Sequence, residues 1–165
     1  MTSRILIVDD HQIVRQGIRT LIEKSRPEWD ICAEAVNGEQ AIDFVRALQP
    51  DLVVMDITMP GISGLEAVAR LRKLGFGCPV LMFTMHQSNR LAIDVKQAGA
   101  QGCALKSQAV QDLVRAIDAL LNGGTFFGPP TEPAKPREKK PDKDKESSAP
   151  RRGAVLSSSL VPAPI

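Results

Sequence analysis

Five polar side chains that could act together in chemistry each follow a short apolar run of the sequence. They are Asp9, Asp10, Asp56, Thr84 and Lys106. Taken singly, each has an ordinary explanation, because an aspartate can cap a helix or lie in a loop and a lysine can be solvated. Taken together, three carboxylates, one hydroxyl and one ammonium group form an unusual set if the fold brings them to one place.

Three carboxylates close together repel one another unless a cation lies among them. Their oxygens are the ligands that Mg²⁺ takes, and this ion keeps several waters and needs few protein ligands. A carboxylate beside such an ion can attack phosphorus. The negative charge on the transferring phosphoryl oxygens is then stabilised by the metal ion, the ammonium group and the hydroxyl. The set therefore predicts an aspartate that accepts a phosphoryl group, with Mg²⁺ as the cofactor.

The segments that must position these side chains alternate between two patterns. Continuous apolar runs occupy residues 5–8, 52–55, 80–83 and 103–105, with a weaker run at 30–35. Such runs suit strands buried on both faces of a parallel sheet, and the apolar residues between and after them recur at helical spacing. We therefore predict an α/β fold with a doubly wound, five-stranded parallel sheet and five helices. Ligands bind such sheets at the carboxyl ends of the strands, where the polar set stands.

The composition divides at residue 128. Of the 165 residues, the first 128 hold 13 basic and 14 acidic side chains, whereas residues 129–165 hold 8 and 5 together with eight of the twelve prolines. The formal net charge of +2 is therefore the sum of −1 and +3 over two unlike parts. We predict a folded domain over 1–128 and a disordered tail rich in Pro, Lys and Ser over 129–165, because that composition cannot bury a core.

The chain shows no sign of export or membrane insertion. No apolar run approaches the roughly 20 residues that a membrane span needs, and the first residues lead directly into a strand pattern without a signal peptide. The three cysteines cannot all pair and lack metal-ligand spacing. We therefore expect a cytoplasmic protein that does not bind membranes.

Four segments of the sequence together resemble a bacterial response-regulator receiver domain, which has a CheY-like, flavodoxin-like fold. They read I-L-I-V-D-D-H, V-V-M-D-I-T-M-P-G-I-S-G-L-E, F-T-M-H and L-K. The wording D-D-H-Q-I-V-R-Q-G-I, the T-M-H and the step from Lys106 to Ser107 are similar to the LuxR/NarL-type branch. The resemblance covers residues 4–122, and the motifs are specific jointly, although each is weak alone.

The resemblance implies a role for each matching residue. Asp56 would accept a phosphoryl group from a sensor histidine kinase, Thr84 would turn to hydrogen-bond that group, and Lys106 would pair with the aspartate and then with a phosphoryl oxygen. The Mg²⁺ ligands would be Asp9, Asp10, Asp56 and the backbone carbonyl of Thr58. Phosphorylation would shift a two-state equilibrium of the face formed by the fourth helix, fifth strand and fifth helix. Beyond its own phosphorylation and dephosphorylation, the domain would not be an enzyme.

Two features depart from the family pattern. Receivers usually carry Tyr or Phe three residues before the lysine, at the switch position, and here that residue is Cys103. In the family, that aromatic ring changes rotamer when the threonine moves inwards. A small thiol cannot signal in this way. LuxR/NarL-type regulators also continue into a helix-turn-helix domain, for which residues 129–165 hold too few apolar residues. We therefore expect no direct DNA binding, and an output protein that is unknown, with a homodimer or a heterodimer with another regulator as further possibilities.

Two other functions remain open on the residues alone. The chain could be an inactive or truncated transcriptional regulator that acts by heterodimerisation. It could also be a Mg²⁺-dependent aspartyl-phosphate phosphatase of the haloacid-dehalogenase type. That class places its nucleophile after the first strand and a general acid two residues later, whereas Asp56 follows the third and Thr58 cannot act as that acid. A zinc site is rejected, since His11 and His86 are the only imidazoles.

Overall fold

A computed structural model describes residues 2–128, which form a sheet with helices on both of its faces. The strands are β1 (Ser3–Val8), β2 (Trp29–Ala35), β3 (Leu52–Asp56), β4 (Val80–Thr84), β5 (Gly102–Leu105) and β6 (Phe126–Phe127). The helices are α1 (Gln12–Ser25), α2 (Gly38–Leu48), α3 (Gly64–Lys73), α4 (Asn89–Ala98) and α5 (Ala109–Leu121). The predicted disordered tail over 129–165 lies outside the described residues.

The sheet has the order β2-β1-β3-β4-β5-β6, and every neighbouring pair is parallel. The doubly wound α/β class predicted from the sequence is thus confirmed. The predicted number of five strands was wrong, because β6 adds a sixth at the edge beside β5. With only two residues, β6 is too short to show a strand pattern in the sequence. Its pairing with β5 depends on where the chain lies after the end of α5.

The apolar strand runs are continuous because both faces of the sheet are covered. Ile5 and Ile7 of β1 contribute to a core beneath α1 and α5, whereas Leu6 and Val8 contribute to a second core beneath α2, α3 and α4. All four side chains are buried. Each strand therefore needs apolar residues at successive positions rather than at alternate ones. Within residues 2–128, no helix is both long and apolar enough to cross a membrane.

The turn after β3 brings the start of α3 against the carboxyl end of that strand. The backbone N–H of Gly64 donates a 2.8 Å hydrogen bond to the carbonyl of Ile57. A Cβ atom on Gly64 would lie 2.1 Å from the carbonyl oxygen of Asp56 and 2.8 Å from the methyl carbon of Met82. Only glycine allows α3 to approach the end of β3 so closely.

Substitution of Gly64 by alanine is expected to destabilise the fold, because the obstructing oxygen belongs to the backbone and cannot rotate away. We expect Gly64→Ala to lower the free energy of unfolding in urea by about 1–3 kcal/mol. Gly17→Ala is the matched control, since nothing lies within 4 Å of its Cβ position. A helical Gly→Ala change there should stabilise by up to about 1 kcal/mol. Equal stability of Gly64→Ala and the wild type would contradict this description of the turn.

Candidate functional site

The carboxyl edge of the sheet gathers the polar residues that the sequence singled out. Asp56 and Thr84 are the last residues of β3 and β4, Asp9 directly follows β1, and Lys106 directly follows β5. Asp9, Asp56 and Thr84 are 1%, 6% and 8% exposed, which is low for polar residues. Asp10, Asp56, Thr58, Thr84 and Lys106 line one open cleft of about 460 Å³.

Lys106 holds two of the three carboxylates together. Its Nζ lies 2.7 Å from Oδ2 of Asp9 and 3.2 Å from Oδ2 of Asp56. The ammonium group thus lies between two buried negative charges that would otherwise repel each other. The structure brings Asp9, Asp56 and Lys106 into contact, and the roles assigned to them stay predictions.

The surroundings of Asp56 shift the pKa of its carboxyl group. Burial raises the pKa of Asp56 above its usual value, and the negative charge of Asp9 raises it further. The ammonium group of Lys106 and the backbone N–H of Thr58 oppose this rise by donating hydrogen bonds to the carboxylate. Asp56 is therefore a nearly buried group held by directed donors, rather than a solvated surface carboxylate.

Asp10 carries a buried side-chain oxygen, Oδ1, that accepts no hydrogen bond within residues 2–128, although Nδ1 of His11 lies 3.1 Å from it. Ligand atoms of Asp9, Asp10, His11 and Asp56 all lie within 4.8 Å of one another. A buried carboxylate oxygen that accepts no hydrogen bond is costly, and a bound cation would satisfy it. The three carboxylates supply the oxygen ligands that Mg²⁺ favours, so these residues fit that ion.

His11 is a neighbour of this cluster that the sequence interpretation missed. Its Nδ1 atom lies 3.1 Å from Oδ1 of Asp10 and 3.3 Å from Oδ1 of Asp9, and its backbone N–H donates to Asp9. The ring is 68% exposed. The signal was available in the sequence, because His11 directly follows the two aspartates. On the sequence alone, His11 enters only as part of the D-D-H motif and as a rejected zinc ligand.

Arg15 and Glu34 support the acidic loop from outside the cleft, and neither was singled out from the sequence. Arg15 donates from Nη1 to the carbonyl of Asp9 at 2.8 Å and from Nε to Glu34 at 3.1 Å. Burial alone would raise the pKa of Glu34, yet hydrogen bonds from Arg19 and Arg15 together hold that pKa below its usual value. The ion pair thus fixes the backbone on which Asp9 and Asp10 stand.

Thr84 and Thr58 both line the cleft, but the contacts described for Thr84 involve its side-chain hydroxyl and those for Thr58 its backbone N–H. The Thr84 hydroxyl donates to the carbonyl of His86 at 3.2 Å and accepts from its N–H at 3.4 Å, so the hydroxyl is engaged with its own loop. Thr58 is exposed, and its backbone N–H donates to Asp56. The metal-ligand role predicted for the Thr58 carbonyl stays a prediction.

Cys103, at the predicted switch position, is fully buried in the core beneath α4. Burial raises the pKa of its thiol to about 11, so the side chain behaves as a small apolar group. Its neighbour across the sheet is Phe127 of β6, which the sequence interpretation had not linked to it.

Comparison with known proteins now assigns this arrangement to a family. The sequence profile of the response regulator receiver domain matches residues 5–118. The chain belongs to the response regulator receiver domain family. The receiver is 40% identical to the response regulator UvrY of Escherichia coli over 123 residues, which is 74% of this chain and 56% of UvrY. It is 33% identical to the nitrate/nitrite response regulator protein NarL of Escherichia coli over 73% of this chain and 56% of NarL.

A solved structure agrees with these relatives. The crystal structure of a LuxR-family two-component response regulator from an Aurantimonas species is 43% identical and superposes with a TM-score of 0.74, covering 78% of this chain and 91% of that chain. The resemblance to the LuxR/NarL-type branch is therefore confirmed. The chain spans somewhat more than half the length of the curated relatives that it matches. Receivers of response regulators are phosphorylated by sensor histidine kinases and generally use Mg²⁺ at an acidic pocket.

Proposed function

We propose that this receiver accepts a phosphoryl group from a sensor histidine kinase on Asp56, with Mg²⁺, and thereby switches a partner-binding surface. The observation that supports the proposal is the arrangement of Lys106 between Asp9 and Asp56, beside a buried Asp10 oxygen that accepts no hydrogen bond within residues 2–128. A structural ion pair with Lys106 would need only one carboxylate, whereas Asp9, Asp10 and Asp56 all lie together here.

Each residue has a distinct part in the transfer. A carboxylate oxygen of Asp56 attacks phosphorus, and the phosphodonor leaves with the electrons of the broken bond. Asp9, Asp10, Asp56 and the Thr58 carbonyl would hold Mg²⁺, which supplies positive charge against the phosphoryl oxygens when it is bound. Lys106 donates to a phosphoryl oxygen from the position where it now contacts Asp56, and the backbone N–H of Thr58 keeps the attacking carboxylate in place.

Thr84 would change its hydrogen-bond partner when Asp56 is phosphorylated. Its hydroxyl is engaged with His86 in the structure, and a phosphoryl oxygen on Asp56 is a stronger, charged acceptor. Turning towards that acceptor would alter the loop before α4 and thus the face of α4, β5 and α5. We propose that an output protein, or a second regulator in a homodimer or heterodimer, binds there, and that the receiver works in the cytoplasm.

The receiver would catalyse only the gain and loss of its own phosphoryl group. The phosphatase alternative gains no support, because the residue two positions after Asp56 is Thr58 rather than a general acid, and Asp56 ends the third strand. Heterodimerisation without phosphorylation gains none either, since Asp10, Asp56, Thr84 and Lys106 line one cleft and Lys106 also contacts Asp9.

Mg²⁺ is expected to stabilise the folded receiver, because binding to the native state alone raises the melting temperature by mass action. Asp10→Asn should weaken the affinity for Mg²⁺ by about tenfold or more, since one hard anionic ligand is replaced by a neutral amide. A thermal-shift titration with MgCl₂ measures both effects. Asp43→Asn, which changes an exposed aspartate of α2, is the control and should titrate like the wild type.

The proposed activity is tested by incubating the full chain with acetyl phosphate and MgCl₂ and separating the products on a phosphate-affinity gel. We expect a shifted band that EDTA prevents. The proposal fails if no shifted band forms in the presence of Mg²⁺, or if EDTA leaves the shift unchanged.

A further inference from the structure

The last strand of the sheet, β6, and the Gly128 that follows it contact β5, α4 and the loop after β4. The proposed phosphorylation site does not use these contacts. β6 holds Phe126 and Phe127 alongside β5, where the N–H of Phe126 donates to Gln101 at 3.2 Å and the N–H of Gly128 donates to Cys103 at 3.5 Å. The second of these is long for a backbone hydrogen bond. β6 is the shortest strand of the sheet, and the hydrogen bond at its far end is long.

Phe127 places an aromatic ring beside the position where this receiver lacks one. Phe127 pairs with Cys103 across the parallel ladder, and Cys103 pairs with Met82, so these side chains share one face of the sheet. The ring packs against the core beneath α4, and Nζ of Lys96 lies 4.5 Å from its centroid. The ring on β6 thus links β5 to α4, with the small thiol of Cys103 beneath that face.

Gln87 connects β6 to the loop that carries Thr84. Its carboxamide nitrogen donates a 3.2 Å hydrogen bond to the carbonyl of Gly128, and its side chain is almost completely buried. Gln87 stands between His86, which exchanges two hydrogen bonds with the Thr84 hydroxyl, and Ser88, which caps α4. A shift of the Thr84 hydroxyl therefore acts on the peptide segment next to Gln87.

We propose that Gln87, Phe127 and Gly128 form a C-terminal latch that opens when Asp56 is phosphorylated and so transmits the switch to the chain beyond residue 128. The inference rests on the proposed function of Asp56. When Thr84 turns towards a phosphoryl oxygen, both of its hydrogen bonds with His86 are lost. The loop from residue 85 to residue 88 then shifts, Gln87 withdraws from Gly128, and the far end of β6 keeps only the long hydrogen bond from the Gly128 N–H to Cys103.

The latch takes the place of the aromatic rotamer change that Cys103 cannot make. In this receiver the moving aromatic belongs to the neighbouring strand, and its release frees α4 from the Lys96–Phe127 contact as well. The same coupling acts in reverse, because two events linked by one equilibrium influence each other equally. A receiver without the Gln87–Gly128 hydrogen bond should therefore bind a phosphoryl mimic more tightly.

Amide exchange of the full chain, followed residue by residue by NMR, tests the latch in the resting and the activated states. In the resting protein, Gln87→Ala should speed exchange at the Gly128 amide roughly two- to tenfold, the range expected for loss of one neutral hydrogen bond. Gln97→Ala, which alters an exposed glutamine of α4, should leave it unchanged. In the wild type, acetyl phosphate with Mg²⁺ should speed exchange at Phe126 and Gly128, and Asp56→Asn should abolish that response.

A titration with beryllofluoride and Mg²⁺ supplies a readout that a merely structural role would not move. Gln87→Ala should bind beryllofluoride roughly two- to tenfold more tightly than the wild type, and Gln97→Ala should not. Weaker or equal binding by Gln87→Ala overturns the latch. If the phosphate-affinity gel shows phosphoprotein while exchange at Gly128 stays constant, the latch is wrong and the phosphoacceptor stands. If no phosphoprotein forms, both are wrong.

Discussion

Asp56→Asn is expected to reduce phosphorylation by acetyl phosphate at least about 100-fold, to the background of the assay. An amide oxygen at this position is a poor nucleophile, while the side chain keeps its size and its place at the end of β3. The amide oxygen can still accept a hydrogen bond from Lys106 or from the Thr58 N–H, so we expect the fold to be retained. The measurement is the fraction of shifted protein on a phosphate-affinity gel over a time course.

The stability of Asp56→Asn separates loss of the nucleophile from loss of structure. Burial and the charge of Asp9 both disfavour the ionised carboxylate, so removing that charge should leave the folded state at least as stable as the wild type in EDTA. Asp43→Asn is the matched control, and it should be phosphorylated at the wild-type rate. An equal shift in Asp56→Asn and the wild type would show that another residue accepts the phosphoryl group.

Lys106→Met is expected to destabilise the apo receiver by about 3 kcal/mol, because it leaves two nearly buried carboxylates without their shared counter-charge. Methionine keeps much of the aliphatic chain, so the loss reports charge rather than packing. Mg²⁺ should restore part of the stability, since the ion supplies positive charge to the same cluster. Urea unfolding in EDTA and in MgCl₂ measures both, with Lys73→Met at an exposed site of α3 as the control.

The same variant should be phosphorylated roughly 100-fold more slowly at saturating Mg²⁺, which is typical for removal of one donor to a developing charge. A folded, Mg²⁺-binding Lys106→Met receiver with the wild-type phosphorylation rate would show that Lys106 serves stability alone. Unchanged stability in EDTA would contradict the description of Asp9 and Asp56 as buried charges held by the lysine.

Much of the sheet and the central part of the cleft followed from local patterns in the sequence. The runs at 52–55 and 80–83 are apolar at every position because both sheet faces are covered, and the first polar residue after each is Asp56 or Thr84. Parallel strands end at one edge, so the sequence already implied that these side chains meet. The positions of Asp56 and Thr84 could be predicted because each directly follows an apolar strand run in the sequence.

The features that were missed depend on contacts between distant parts of the chain. Arg15 and Glu34 are 19 positions apart, and Gln87 and Gly128 are 41 apart. β6 has no strand pattern of its own and exists because α5 returns the chain to the edge of β5. Such pairings are decided by packing, and a sequence pattern of two residues cannot indicate them.

Chemical location of the phosphoryl group is the most direct test of the central claim. The full chain is incubated with acetyl phosphate and MgCl₂, reduced with borohydride so that an aspartyl phosphate becomes homoserine, digested, and analysed by mass spectrometry. We predict homoserine at position 56, dependent on Mg²⁺ and absent without the phosphodonor. Homoserine at Asp9 or Asp10 instead, or unmodified Asp56 in a sample that carries phosphoryl groups, would contradict the account.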